Sequence, residues 1–402
     1  VIAAFRLFLM LFVPMLAVVL AGLFLVMRTG QVDPWLWAGP GLVFLALVGV
    51  ALGRAVALMG AAGAVLCVLL FCWLAAGRLP MAGAAFGLLA MCFLAGLGGA
   101  MVRFAASRLL GCGLLGCAVL LVWLGSRERV EVMADRPSLA VLSALPLFWE
   151  EGGMARVEAP IITVLRARFA VRAVDSVADV RAEDRLLLAQ PRDLGPAGLV
   201  AMDDWVRAGG HVLMLADPRL VWPSHLPLGD RRRAPGGTVL GPLLGHWGVE
   251  MEAADEGEVR RFLSDGRLVT TLAAGRLRAP GCRVTEAGLV ARCAVGRGEA
   301  VVVADADLLD DRLWLGDAAR PLEVRGWVAD TPDVIAGWVG APVPAPVPVA
   351  RRWLRDGAAL REALRWALVV GIGWAAMGMV MGRARKGAFG AIFGPEIPRL
   401  KG

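Results

Sequence analysis

The sequence predicts two parts: a set of membrane-spanning helices and a layered α/β domain built on a mainly parallel sheet. Three observations lead there. Hydrophobic residues make up 58% of the 402-residue chain, more than an ordinary soluble domain carries. Six apolar stretches approach or reach the roughly 20 residues that a bilayer-crossing helix needs. Between the fifth and sixth, from residue 138, short apolar runs alternate with amphipathic segments, the pattern of a layered α/β fold.

The first stretch, "LFLMLFVPMLAVVLAGLFLVM" at 7–27, is longer than the apolar core of about 7–15 residues in a cleaved signal peptide. It is expected to be a retained helix, with Pro14 tolerated as membrane helices tolerate proline. Further spans are expected at 36–53, 55–76, 81–101, 108–124 and 366–382. The resulting division is a transmembrane region over 1–125, an α/β domain over 126–340, a linker over 341–361, a last helix over 362–383 and a basic tail over 384–402.

Charge sets the expected orientation. An inside N-terminus gathers Arg6, Arg54, Arg103, Arg108, Arg383, Arg385, Lys386, Arg399 and Lys401 on the cytoplasmic side, leaving Arg28 and Arg78 in the outer short loops, as the positive-inside bias requires. Five preceding helices then put 126–361 outside. Arg351, Arg352, Arg355, Arg361 and Arg365 oppose this, but charges beside a long translocated domain weigh less. The expected location is the bacterial inner membrane with the soluble domain in the periplasm. Of the 42 basic residues only Lys386 and Lys401 are lysine, and tyrosine is absent. This matches a GC-rich genome better than selection for nucleic-acid contacts, so no nucleic-acid partner is expected.

Cys67, Cys72, Cys92, Cys112 and Cys117 lie in apolar spans, where a thiol acts as a small hydrophobe. Cys282 and Cys293 flank "RVTEAGLVAR", which reads as two short strands about a turn. They form a candidate disulfide in an oxidising compartment, with two unpaired buried thiols as the alternative.

In the soluble region, 138–145, 170–176, 185–191 and 211–217 have strand patterns, and 160–169 has a helix pattern headed by Pro160. The segment 195–209 opens on Pro196 and stops at Gly209-Gly210, the proline-first, glycine-last signature of a helix. Such alternation implies right-handed crossovers and a parallel sheet. A helix at 236–249, short strands through 257–297, a buried strand with an acidic loop at 296–311, and a closing helix at 330–340 capped by Asp330 or Thr331 follow. "APVPAPVPV" at 341–349 has the composition of a stiff extended linker.

Ligands of open α/β sheets bind beyond the carboxyl ends of strands. Those ends supply Trp149, Glu150, Glu151, Gln190, Arg192, Asp217, Asp305 and Asp307, a candidate cleft with an aromatic wall, carboxylates and an arginine. Taken singly, each acid fits the capping of a turn or helix start better than a cleft. Arg231, Arg232 and Arg233 in the long 218–234 loop are candidates for partner contact.

Catalytic motifs are missing. There is no phosphate-binding G-x-x-x-x-G-K-[ST] and no G-x-S-x-G elbow, and His211, His225 and His246 lack metal-ligand spacing. No catalytic residue, cofactor or metal is therefore expected. A metal-dependent hydrolase using Glu150, Glu151, Asp217 and Asp305 is the rival reading, and a scaffold without ligand is the third.

The run "LLLAQPRDLGPAGLVAMDDWVRAGGHVLMLADP", with the later "VGRGEAVVVADADLLDD", resembles the GldG-type proteins, auxiliary components of ABC-type transport systems named from gliding motility. The likeness covers roughly 138–340 and the last membrane helix. It implies an extracytoplasmic domain like class I glutamine amidotransferases, with a flavodoxin-like sheet and helices on both faces. It also implies a separate ABC ATPase and permease as partners, beside the lipid membrane. Amidotransferases use a cysteine on a strand–helix elbow with a histidine, and this sequence has neither in a corresponding place. The resemblance thus supplies no catalytic residue, and the five N-terminal helices exceed what an anchored subunit needs.

Overall fold

In the computed structural model, residues 2–151, 156–340 and 353–392 are described, with side chains from 5 to 381 within those bounds. The linker at 341–349, Arg351, Arg352, Arg399 and Lys401 lie outside the described residues. The chain divides into two compact units, 1–127 with 350–402, and 128–349.

The first unit contains helices α1 (Ile2–Thr29), α2 (Ala38–Leu52), α3 (Arg54–Ala76), α4 (Ala82–Val102) and α5 (Arg108–Ser126). A sixth, numbered α10 because it follows the other unit, is Gly357–Ile392. Among the described residues, six helices are long and apolar enough to cross a membrane. The last runs beyond the expected 366–382 at both ends, so 384–392 is helical. Most side chains that point away from neighbouring helices are apolar, such as Leu109 and Phe86, as expected where lipid is the solvent.

Within this unit α2 packs on α4 through glycines. A Cβ on Gly49 would lie 2.3 Å from Gly96 O, and one on Gly99 would lie 2.2 Å from Ala46 O. The absence of side chains lets the two backbones touch, the usual means of helix association without a hydrophobic driving force. Helix α10 packs on α1 and α3, and Trp374 Nε1 donates to Met59 O at 2.9 Å. Just before α10, Leu354 N donates to Gly30 O and Arg355 N to Ala75 O. A Cβ on Gly125, at the end of α5, would meet the Trp35 ring that follows α1. The chain therefore leaves α5 and enters α10 at the same end of the bundle, where α1 and α3 also end.

The second unit contains, in order, β1 (Ser138–Ser143), α6 (Pro160–Arg166), β2 (Ala170–Ala173), β3 (Arg185–Ala189), α7 (Gly195–Arg207), β4 (His211–Leu215) and α8 (Gly241–His246). Short strands follow: β5 (Glu250–Ala253), β6 (Glu258–Phe262), β7 (Leu268–Leu272), β8 (Gly275–Arg278), β9 (Arg283–Thr285) and β10 (Val290–Val295). Strand β11 (Gly298–Val303) and helix α9 (Thr331–Val339) close it.

Seven strands form one sheet in the order β2-β1-β3-β4-β11-β10-β9. The first five are mutually parallel, while β10 runs antiparallel to β11 and β9 antiparallel to β10. Two further antiparallel pairs, β5–β8 and β6–β7, stand apart from it. The domain is thus α/β with a mainly parallel sheet.

The period-2 alternation of strands divides its core. Ala140, Leu186, Leu188, Val212, Met214, Ala300 and Val302 join Met202 and Val206 of α7 and Leu243 and Leu244 of α8 in one apolar cluster. Helix α9 packs on β3, β4 and α6, away from that cluster. At Gly298 a Cβ would lie 2.1 Å from Val206 O, so only glycine lets β11 start against the end of α7.

In the second unit, α8 and α9 differ from expectation for local reasons. Helix α8 is Gly241–His246 rather than 236–249, because Gly236 O accepts from Leu220 N and Thr238 N donates to Asp217 O. Those residues serve the turn after β4. At α9 the Asp330 side chain makes no helix-cap bond. It accepts instead from Leu268 N at 2.9 Å, tying α9 to the start of β7.

Cys282 and Cys293 are bonded, with Cα atoms 4.5 Å apart. They continue the β9–β10 ladder by one step beyond the Arg283↔Arg292 pair.

Candidate functional site

The carboxyl ends of β3, β4 and β11 lie side by side in register, Ala189 opposite Leu215 and Leu215 opposite Val303. The next residues on each strand build the site. After β3 comes Gln190, fully buried and in the left-handed region at φ 40, an uncommon conformation for a residue with a side chain. Its carboxamide explains the strain: Oε1 accepts from Asp217 N at 3.0 Å, and Nε2 donates to Asp217 O at 3.4 Å and Pro235 O at 3.0 Å.

Three aspartates converge beside it. Asp217, Asp305 and Asp307 are all fully buried, and each offers an oxygen within 4.8 Å of the other two. Backbone N–H groups hold them. Asp217 Oδ1 accepts from Arg219 N at 2.8 Å and Oδ2 from Ala306 N at 3.1 Å. Asp305 Oδ1 accepts from Leu308 N at 3.1 Å and Oδ2 from Leu272 N at 2.9 Å. Asp307 Oδ2 accepts from Val221 N at 2.8 Å. Asp307 Oδ1 is buried and has no hydrogen-bond partner.

Electrostatics follow from this enclosure. Burial raises the Asp305 carboxyl far above the usual range, and the Asp217 charge adds to it. Burial likewise pushes Asp307 up to about 7, against the Val221 N–H, with the Asp217 and Asp310 charges adding. Asp217 is raised by burial, against N–H donors from Arg219, Ala306 and Asp307. The arginines that bear on the cluster, Arg219 and Arg312, are exposed, and Arg312 is committed to Asp310 at 2.5 Å.

Gln190, Asp217, Asp305 and Asp307 are therefore brought together, but as a closed knot instead of an open crevice. The turn after β4, β7 and the loop after β11 roof it, since their N–H groups are the donors. The other sequence-derived candidates lie elsewhere. Trp149 and Glu150 are exposed, the Trp149 ring facing Arg156 at 6.0 Å. Glu151 accepts from His225 N at 2.7 Å. Arg192 donates to the carbonyls of Arg231 and Arg232, which makes it a brace for the arginine loop.

Within that loop Arg232 is forked onto Asp230, and that hydrogen bonding holds the Asp230 carboxyl down at about 2. Arg233 donates to Leu226 O at 3.0 Å, and Arg231 is exposed. The histidines have local roles. His211 lies 3.3 Å from Glu299 and 3.1 Å from Trp338 O, while His246 lies beside Arg207 and Asp203.

Five contributors are absent from the sequence-derived candidates: Arg219, Val221, Leu272, Ala306 and Leu308. All act through backbone N–H, which no residue type signals.

No protein-family model matches the chain, and no curated protein matches it. Solved structures give only weak likeness. The exo-β-1,4-mannosidase Op5Man5 from Opitutaceae bacterium strain TAV5 aligns at 14% identity and TM-score 0.29, covering 55% of this chain and 38% of that one. A cold-adapted β-galactosidase from Rahnella sp. R3 aligns at 10% and 0.28, covering 66% and 43%. The β-galactosidase from Bacillus circulans sp. alkalophilus aligns at 13% and 0.26, covering 53% and 35%. The chain spans less than half the length of each, and likeness at this level assigns neither fold nor activity.

Proposed function

We propose that this chain is a polytopic inner-membrane subunit whose α/β domain binds a ligand or partner outside the cytoplasm without catalysing a reaction. It serves an ABC-type transport or envelope system with a separate ATPase and permease. The GldG-type resemblance of 138–340 supplies the system.

The fold is consistent with it. Renumbered by position, the five parallel strands β2-β1-β3-β4-β11 have the 2-1-3-4-5 order of flavodoxin-like sheets.

Gln190 carries the non-catalytic part of the reading. It stands at a strained strand-to-helix turn, where an elbow enzyme would present a nucleophile, yet it is an amide with donor and acceptor both spent on backbone. The Cys282–Cys293 bond supports an oxidising compartment for this unit. The exit and re-entry of the chain at one end of the helix bundle fits a domain carried on a single side of the membrane. With the acidic knot closed, the candidates left for a binding surface are the exposed residues Trp149, Glu150 and Arg231.

The test is purification of the full-length protein from its native membrane in mild detergent, with mass spectrometry of co-purifying chains. A stoichiometric nucleotide-binding ATPase is the expected result. Recovery of the protein alone, under conditions that keep other ABC complexes whole, rejects the transport reading.

A further inference from the structure

The acidic knot has more negative capacity than its surroundings answer. Three fully buried carboxylates share a site in which no salt bridge from the described residues reaches them. Burying a charge without a partner is costly, and chains tolerate it where the charges are shared with a cation or a proton. Five of the six carboxylate oxygens accept at least one backbone N–H. A carboxylate oxygen can accept more than one interaction, so these donors fix the groups in place without using them up. The sixth, Asp307 Oδ1, is buried with no hydrogen-bond partner at all, and a buried acceptor in that state calls for an explanation.

We infer that Asp217, Asp305 and Asp307 together hold one divalent cation of the calcium class, which joins the end of β4 to the segment that follows β11. The donor set is all oxygen, which selects hard cations over zinc or copper. The ligand atoms lie within 4.8 Å of one another. Calcium–oxygen distances of about 2.3–2.6 Å let one ion join oxygens anywhere within that range, and calcium gives up its waters to an enclosed site more readily than magnesium, which usually keeps several. The site is enclosed by the turn carrying Arg219 and Val221, by Leu272 of β7 and by the loop through Leu308. The ion is therefore structural, with no access for a substrate, and this distinguishes it from the hydrolase that the acids suggested in sequence. The inference is independent of the transport reading and stands if that reading fails.

The test uses the full-length protein in detergent, stripped with a chelator and then dialysed against calcium chloride alone or magnesium chloride alone. One calcium per chain is expected, with the unfolding midpoint of the α/β domain raised by about 5 °C at saturating calcium and a smaller rise in magnesium. Asp307→Asn, which keeps the shape and removes the charge, should lose both the bound calcium and the shift. Absence of bound calcium and of any shift in the unsubstituted protein would overturn the inference and leave the knot held by shared protons. Equal calcium binding by the unsubstituted protein and Asp307→Asn would also overturn it, since the ion would then sit elsewhere. Should Asp307→Asn not accumulate, dialysis and melting of the unsubstituted protein decide the matter.

Discussion

The side chain of Gln190 and the backbone of Asp217 are joined in both directions. Asp217 N donates to Gln190 Oε1 at 3.0 Å, and Gln190 Nε2 donates to Asp217 O at 3.4 Å. The pair locks β3 to β4 one step past the end of their ladder, and it holds the turn from which the acidic knot begins. A third bond, to Pro235 O, fixes where the 218–234 loop returns.

Gln190→Ala should therefore destabilise the α/β domain by about 1–3 kcal/mol for each buried backbone group left without a partner. Gln190→Asn should not rescue it. Asparagine tolerates the left-handed backbone, but its shorter amide cannot span the same three partners. Thermal unfolding followed by tryptophan fluorescence checks both, and equal stability of all three proteins would refute the clamp.

Asp184 should set part of the acid limb of stability. Burial raises its carboxyl, but hydrogen bonds from Ser138 Oγ and Arg181 N and the Arg172 guanidinium outweigh this, and the net shift is downward. A depressed carboxyl binds fewer protons in the folded state. Its contribution is therefore complete above the unfolded value of about 3.9 and fades as pH falls through the folded value below that. Asp184→Asn should lower stability at neutral pH and flatten the decline below about pH 4. An unchanged pH profile would count against the pairing.

Reduction of Cys282–Cys293 should cost at most about 3 kcal/mol, because the bridge closes a loop of only 11 residues. Without reductant, an alkylating reagent in denaturant should label at most the other five cysteines, and reduction should expose two more. Labelling of Cys282 or Cys293 before reduction would show the thiols to be free in the cell.

The α2–α4 contact should fail when Gly99 is enlarged. A Cβ there already meets Ala46 O at 2.2 Å, whereas nothing lies within 4 Å of one on Gly83 in the same helix. Gly99→Leu should reduce the yield of detergent-stable protein severalfold. Gly83→Ala should be neutral or stabilising by up to about 1 kcal/mol. Similar yields for both variants would mean that α2 and α4 do not pack closely.

Much of this protein is legible in its sequence because local rules dominate there. Apolar length alone marks α1 to α5 and α10. Pro196 and Gly209-Gly210 bracket α7, and the runs ending at Asp217 and Asp305 are β4 and β11, since continuous apolar segments of strand length belong inside a covered parallel sheet. The same residues show that Asp217, Asp305 and Asp307 stand where strands end.

What those acids do was decided only by tertiary structure. A carboxylate at a strand terminus reads alike whether it faces a cleft, caps a turn or is roofed over. Here the roof comes from Val221 and Leu272, through N–H groups that every residue but proline possesses. For the same reason Gln190 reads as a cleft residue and is a clamp, and Arg192 reads as a ligand contact and is a brace under Arg231 and Arg232. Membrane spans, strands and helices follow from periodicity within a few turns of chain. The closed knot depends on contacts between segments up to about 90 residues apart, Asp217 with Ala306 among them, and local pattern carries no record of such pairings.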